Sequence, residues 1–420
     1  MKLLYISLFS IFVLINSSHG QITWSEQTSG LTTQLTSVSA VDALNAWACG
    51  YSGRVLRTTN GGQNWTSVNG APIPGTLNLH NIFAIDANTA LVAGSGSSSF
   101  LFRTTDGGAN WTQVFTESGG FINAVQMGNS SAGFMVGDPV GGRWSLWGTI
   151  DGGLTWDSTD FYLPQAGTEA GWNNSFYFEI NSGVWFGTNN TRVYKSISLV
   201  SWTSQVTTGQ ANSYAIWFNN PILGMTGGTG LLMTTNGGLS WQNTPAALPG
   251  TGNISGITGE GNTWIVTRQA AQIYMSTDNG VNWNTSYTSP AGNYRHIIKD
   301  RNSGNVFYAV RTNGGISRGE FTVGITPVSN EIPKNYSLNQ NYPNPFNPNT
   351  RIKFSIPKDG FVKFLVYDEL GREIKTLLND NLKAGVYEIN FEARILTSGV
   401  YFYKIITSDF IETKKMILVK

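Results

Sequence analysis

Apolar positions along this chain come in short bursts separated by Gly-rich polar loops, not in helical stripes. Segments such as AWACGYSGRVLRTT (46–59), ALVAGSGSSSFLFRTT (90–105), GVWFGTNNTRVYKS (183–196) and GMTGGTGLLMTT (224–235) share one layout. An apolar strand ends near Gly, a loop follows, and a second apolar strand runs into a turn. That turn is a phrase found five times: TTNGGQNW ending at Trp65, TTDGGANW at Trp111, TIDGGLTW at Trp156, TTNGGLSW at Trp241 and STDNGVNW at Trp283. Its chemistry is local. The Asp or Asn (Asn60, Asp106, Asp151, Asn236, Asp278) and the hydroxyl two residues earlier can bond backbone N–H groups across the bend. A glycine (Gly62, Gly108, Gly153, Gly238, Gly280) supplies the positive φ that a side chain resists. The Trp then opens the next strand with a large face to bury.

A ladder of tryptophans extends the repeat. Trp24 precedes Trp65 by 41 residues, and further steps of 46, 45, 46, 39 and 42 lead through Trp111, Trp156, Trp202 and Trp241 to Trp283. The rung at Trp202 has a degenerate turn, KSISLVSW, lacking both the Asp/Asn and the Gly. Four short strands per period of 40 to 50 residues predict the blade of a β-propeller. The last unit, residues 294–321, has three strands and lacks a Trp-bearing fourth, whereas Ile22-Thr23-Trp24-Ser25 is a fourth strand without its first three. Pairing them would remove two exposed edges. The expectation is an all-β chain in which residues 21–322 form a seven-bladed propeller, seven in preference to six because of the Trp202 rung.

Composition changes along the chain. Residues 1–20 carry Lys2, an apolar run from Leu3 to Ile15 and a short polar end, the layout of a secretory signal peptide. The run is too short to span a bilayer, and no transmembrane segment is expected. Residues 323–335 read as a Pro- and Asn-containing linker. After it, alternating runs at 351–356, 361–367, 373–378, 386–391, 400–407 and 411–419 predict a small Ig-like antiparallel β-sandwich over residues 336–420. A formal net charge of +1 with only 12% charged residues offers no electrostatic case for nucleic acid. Cys49, the single cysteine, excludes a disulfide framework and reads as a small buried hydrophobe.

The turn phrases resemble the BNR or Asp-box repeats of sialidases and many other propellers. The wording around them is similar to propellers of the photosystem II assembly factor type, a likeness that implies fold and leaves activity open. NYPNPFNPNTRIKFSIP (341–357), VYDELGREIKTL (366–377), AGVYEINF (384–391), LTSGVYFYKI (396–405) and KKMILVK (414–420) resemble the C-terminal sorting domain of the type IX (Por) secretion system. An ordinary adhesion sandwich behind a Pro-rich linker is the alternative. The resemblance implies a Gram-negative cell of the Bacteroidetes or a related phylum. It also implies passage through the periplasm, contact with the type IX machinery through residues 336–420, and delivery to the outer surface or the medium.

Chemistry is sparse. Beyond the leader only His80 and His296 remain, so a histidine-built metal site or a Ser-His-Asp triad has little to draw on, and neither metal nor cofactor is expected. Antiparallel topology places the turn phrases on one face of the ring. The loops 137–143, 163–174 and 187–192 would then lie on the other. They bring forward Asp138, Arg143, Glu169, Trp172, Asn173, Asn174, Asn189, Asn190 and Arg192 as ligand-binding candidates, with Arg268 on the same face and Trp172 able to stack on a sugar or aromatic group. Salt bridges of Asp138 and Glu169 to Arg143 and Arg192 are the structural alternative. A secreted or surface-bound, non-catalytic propeller that binds a glycan or protein is the leading reading. A glycoside-active enzyme using Asp138 and Glu169 is the alternative. A sialidase specifically would need an Arg-Ile-Pro-type phrase before the first turn, and residues 21–58 hold none.

Overall fold

A computed structural model describes residues 22–419 except 303, 322–324, 330–331 and 394–395. The expected signal peptide lies outside the described residues. Two compact units are resolved, Ile22–Glu320 and a second built on Phe321–Lys420.

Residues 22–321 form seven antiparallel sheets, and every one begins with an innermost strand. These are Leu35–Ala40, Asn78–Ala84, Ile122–Met127, Gly171–Glu179, Ala215–Phe218, Ile254–Glu260 and Tyr294–Lys299. Each innermost strand touches the next, and the seventh touches the first, so the sheets close a ring. The strands are short because Gly and polar turns interrupt the apolar runs every few residues. Side chains of strands such as Leu35–Ala40 and Ala90–Ser95 are wholly buried because both faces of the sheet pack against neighbouring sheets there, whereas outermost strands such as Thr112–Ser118 are largely exposed.

Closure is made by the N-terminal strand. Ile22–Gln27 forms the outer edge of the seventh sheet, beside Ile316–Phe321. Trp24 stacks on Tyr287 of the sixth sheet with ring centroids 5.7 Å apart and donates from Nε1 to Ser286 Oγ at 2.9 Å. Glu26 accepts from Ser317 Oγ at 2.7 Å and Tyr287 Oη at 2.9 Å, and it pairs with the buried Arg311 guanidinium.

One sheet departs from four strands. The third has three, and its fourth is reduced to isolated bridges at Gly148↔Asp157 and Arg143↔Pro164. Between the bridges Asp160 turns at φ 68° and Phe161 packs 5.3 Å from Phe134, so the chain leaves the ladder to bury an aromatic ring.

The second unit is a pair of four-stranded antiparallel sheets over one core that includes Ile352, Phe354, Phe364, Ile389, Tyr403 and Met416. The segment 323–335, expected as a linker, contains the strand Ile325–Ser329, which pairs with Gly385–Glu392. This strand lies at a sheet edge, where Pro327 can be accommodated without an N–H. The Asn-Pro loop 340–346 covers the open edge of the last strand: Phe346 N donates to Ile417 O (2.9 Å) and Ile417 N to Asn344 Oδ1 (2.9 Å). Unpaired edge groups are thereby blunted.

Candidate functional site

The five turn phrases share one hydrogen-bond pattern. In the second sheet Thr104 Oγ1 donates to Asp106 Oδ1 (2.9 Å) and accepts from Gly108 N (3.0 Å), while Asp106 Oδ1 also accepts from Asn110 N (2.9 Å). Thr58, Thr149, Thr234 and Ser276 repeat the arrangement with Asn60, Asp151, Asn236 and Asp278. The donor from the Asn110 backbone is the largest influence holding Asp106 down to about 2, and the Thr155 hydroxyl does the same for Asp151. Gly62, Gly108, Gly153, Gly238 and Gly280 all take φ between 80° and 88°. A Cβ at Gly108 would also sit 2.7 Å from Val68 of the preceding sheet. Ladder tryptophans pack in the same direction: Trp111 donates to Val68 O (2.8 Å), Trp65 meets Tyr308 edge-on at 5.8 Å, Trp202 lies 6.1 Å from Phe134, and Trp241 shares a core with Trp185 and Val193 of the preceding sheet. Trp156 and Trp283 are likewise packed against cores of neighbouring sheets.

A second repeated turn went unread. Asp42, Asp86, Asn129 and Asn220 each cap the hairpin between the first and second strands of a sheet, their Oδ1 accepting from backbone N–H groups two and three residues on. Asp or Asn four residues ahead of an apolar strand was the available signal.

Most of the charged candidates are spent inside the protein. Glu169 is buried, and its carboxylate accepts from Trp144 Nε1 (3.2 Å), Ala166 N (3.1 Å), Asn190 Nδ2 (3.4 Å) and the Tyr194 hydroxyl. Arg192 completes the cluster, with Nε 3.6 Å from Glu169 Oε2. Burial pushes the Tyr194 phenol up to about 12, reinforced by the Glu169 hydrogen bond. Asp138 accepts from Asn123 Nδ2 (2.8 Å) and Gly171 N (2.7 Å), and burial raises its pKa. Its expected partner Arg143 stands exposed on the hairpin tip. Asn189 Oδ1 takes up Ala170 N at 2.9 Å. Arg268 does not join this group: it is buried and donates to the carbonyls of Pro249 (2.9 Å), Thr229 (2.9 Å) and Leu248 (3.0 Å), because the loop 244–253 turns its unpaired carbonyls inward.

Trp172, Asn173 and Asn174 belong to a strand, not to the loop expected there. They lie in an irregular stretch of the fourth innermost strand, where register shifts between Gly171 and Phe176 and Asn174 takes φ 63°. The bulge turns these side chains toward the ring axis. Asn174 Oδ1 accepts from Ser37 Oγ (2.9 Å) and Asn81 Nδ2 (2.8 Å), and its Nδ2 donates to Thr36 O (3.2 Å). Asn173 Nδ2 lies 3.4 Å from His80 Nδ1, while Trp172 packs 4.5 Å from Tyr214 of the fifth sheet. His80 in turn lies 4.7 Å from Phe121 and 6.2 Å from Tyr51, and Arg295 donates to Gln34 Oε1 (3.1 Å). Apart from Tyr51, in the loop after the second strand of the first sheet, these residues sit at or near the beginnings of innermost strands, and all therefore lie at the mouth of the ring opposite the turn phrases. Trp172 Nε1, Asn173 Oδ1 and Arg295 Nε are shielded from solvent without a hydrogen-bond partner. The sequence reading missed His80, Tyr214 and Arg295, whose place at the mouth depends on which strand is innermost.

Burial holds the two ring histidines down to about 4, so His80 and His296 are neutral at pH 7. Among the described residues no group of His, Cys, Asp and Glu is arranged to hold a metal ion. No helix there is long and apolar enough to cross a membrane. The mouth offers aromatic faces, neutral donors and acceptors and the Arg295 guanidinium, suited to a polar ligand with planar or extended groups.

Comparison with known proteins agrees with this anatomy. Residues 340–420 match the family described as the secretion system C-terminal sorting domain, and residues 10–136 match the photosynthesis system II assembly factor YCF48. No curated protein matches the chain. Among solved structures, YCF48 bound to D1 peptide is 15% identical with a TM-score of 0.56, over 72% of this chain and 99% of that one. YCF48 from Cyanidioschyzon merolae is 16% identical with a TM-score of 0.56, over 71% and 98%. The chain therefore couples a propeller similar in fold to YCF48 with a C-terminal segment that matches the secretion-system sorting domain.

Proposed function

We propose that this protein is exported through the type IX system of a Gram-negative bacterium and works at the outer surface or in the medium as a non-catalytic binding propeller. The first twenty residues serve as the signal for the inner membrane, and residues 336–420 as the address for the outer one. The ligand is contacted at the ring mouth by Trp172, Asn173, Tyr214 and His80. The carrying observation is that the mouth collects aromatic faces and unpartnered polar atoms, whereas of the two carboxylates suited to acid–base work Glu169 has both oxygens engaged by internal donors and Asp138 has two internal donors on Oδ1. A solved YCF48 carries a bound D1 peptide, which favours an extended peptide over a glycan as ligand class here.

The test is a peptide array and a glycan array probed with the full-length protein. Peptide hits that weaken roughly tenfold or more in Trp172→Ala, with an intact melting transition, are the expected result. Turnover of a glycoside that disappears in Asp138→Asn or Glu169→Gln would overturn the reading in favour of an enzyme.

A further inference from the structure

We propose that the turn phrases of the third to sixth sheets carry a second interaction surface, fitted to a protein partner whose contact face is aliphatic and rimmed with Lys or Arg. This surface lies on the face of the ring opposite the mouth and is independent of it. Its residues are Ile150, Leu154, Ile197, Val200, Leu239 and Val281, with relative exposures of 88%, 53%, 69%, 55%, 60% and 52%.

The repeat supplies its own control. At the position of Ile150 the first and second sheets carry Thr59 and Thr105, and at the position of Leu154, Leu239 and Val281 they carry Gln63 and Ala109. The same turn forms with the same hydrogen bonds in the first and second sheets and in the third, fifth and sixth, whereas the fourth sheet's turn is held differently, Ser196 Oγ donating to Ser201 O at 2.6 Å. The turn therefore has no need of the aliphatic residues, and exposing them to water is unfavourable unless something covers them. The tips lie on one face of consecutive sheets, and each turn rests on the preceding sheet: a Cβ at Gly153 would lie 3.0 Å from Leu91, at Gly238 2.7 Å from Trp185, and at Gly280 3.3 Å from Met225.

Charge selects the occupant. Asp151, Asp157 and Asp278 stand among these tips and are held by hydroxyl and amide donors, not by cations: Thr149 and Thr155, Thr159, and Ser276 and Asn282 respectively. Lys195, the cation of the fourth turn, is only 8% exposed and lies over the Trp185 ring. An anionic lipid surface would be repelled by these carboxylates. A second copy docking by two-fold symmetry would set them against one another. A basic, aliphatic protein face satisfies both the apolar tips and the carboxylates.

The experiment uses the full-length protein, the quadruple variant Ile150→Thr/Leu154→Gln/Leu239→Gln/Val281→Gln, and the double variant Asp151→Asn/Asp278→Asn. Every substitution copies a residue that the same turn accepts elsewhere in the chain, Asn60 and Asn236 included, so both variants are expected to fold; the double variant gives up part of the carboxylate's stabilising hydrogen bonding, and binding is compared at a temperature below the melting transition of all three proteins. The probe is an immobilised synthetic peptide of alternating leucine and lysine, with phosphatidylglycerol/phosphatidylcholine vesicles and sedimentation velocity alongside. The expected result is peptide binding that weakens roughly tenfold in the quadruple variant and loses its salt dependence in the double variant. Equal binding by parent and quadruple variant would overturn the proposal. So would binding to the vesicles, or dimerisation that the quadruple variant abolishes.

Discussion

Asn174 of the fourth innermost strand accepts a 2.8 Å hydrogen bond from Asn81 Nδ2 of the second, and the same amide oxygen accepts from Ser37 Oγ of the first. One side chain thus joins three sheets that are not all neighbours in the ring. Asn is suited to the place twice over, since it tolerates φ 63° and offers both donor and acceptor. Asn174→Ala is expected to destabilise the propeller by about 1–3 kcal/mol, because Asn81 Nδ2 and Ser37 Oγ lose a buried partner. Chemical denaturation read by tryptophan fluorescence measures it.

Glu169 should behave as a structural residue. Glu169→Gln removes the charge facing Arg192 and replaces an acceptor by a donor beside Asn190. A loss of roughly 1–3 kcal/mol is expected. Ligand binding should be unchanged at temperatures where the variant is folded. Lost affinity with full stability would return Glu169 to the candidate site.

Acid should weaken the ring in two stages. His80 and His296 are held near 4 in the folded protein against an ordinary value near 6.5, so the unfolded chain binds more protons between those limits and stability falls as pH drops through that window. The turn carboxylates Asp106 and Asp151, held near 2, contribute stability that is intact above about pH 4 and is lost between there and about 2. His80→Asn/His296→Gln should flatten the melting temperature between pH 6.5 and 4 relative to the parent, leaving the drop below pH 4 in place.

Trp24→Ala should loosen closure. The ring stacks on Tyr287, approaches Phe307 and would collide with any Cβ at Gly319, 2.8 Å away, so its removal leaves a hole at the seam between the sixth and seventh sheets. For a partly buried Trp the cost is about 2–4 kcal/mol, toward the lower end of aromatic-to-alanine losses. Limited proteolysis should cut first near residue 30.

Export should depend on the C-terminal module. Deleting residues 336–420 in a type IX-competent host is expected to leave a folded propeller in the periplasm, visible by cell fractionation. Normal amounts in the medium would contradict the assignment.

The repeating parts of this fold were readable because their chemistry is local. A Thr, an Asp and a Gly within five residues make the turn of Thr104–Gly108 by themselves, and the Trp spacing reports the sheet period. The alternation after residue 349 likewise anticipates strands such as Asn349–Ile356 and Gly399–Ile406. The candidate site was less legible. Trp172 to Asn174 looked like loop because Asn and Gly dominate there, yet the stretch is a bulged innermost strand whose partners Thr36, Ser37, His80 and Asn81 are roughly a hundred residues away. Arg268 resembled a surface charge until the carbonyls of a distant loop were seen to surround it. Strand Ile325–Ser329 was hidden by its proline, which an edge position tolerates.

Pairing of the first strand with the last gives the chain a way of reporting its own completeness. Residues 22–27 find their partner only when residues 316–321 have been made, so a propeller interrupted anywhere in between keeps two open edges and an unpaired Arg311 or none at all. The sorting module follows directly after that last strand. On the export proposed above, a chain long enough to carry residues 336–420 is, by order of synthesis, a chain long enough to have shut its ring, and fragments with sticky edges would lack the address.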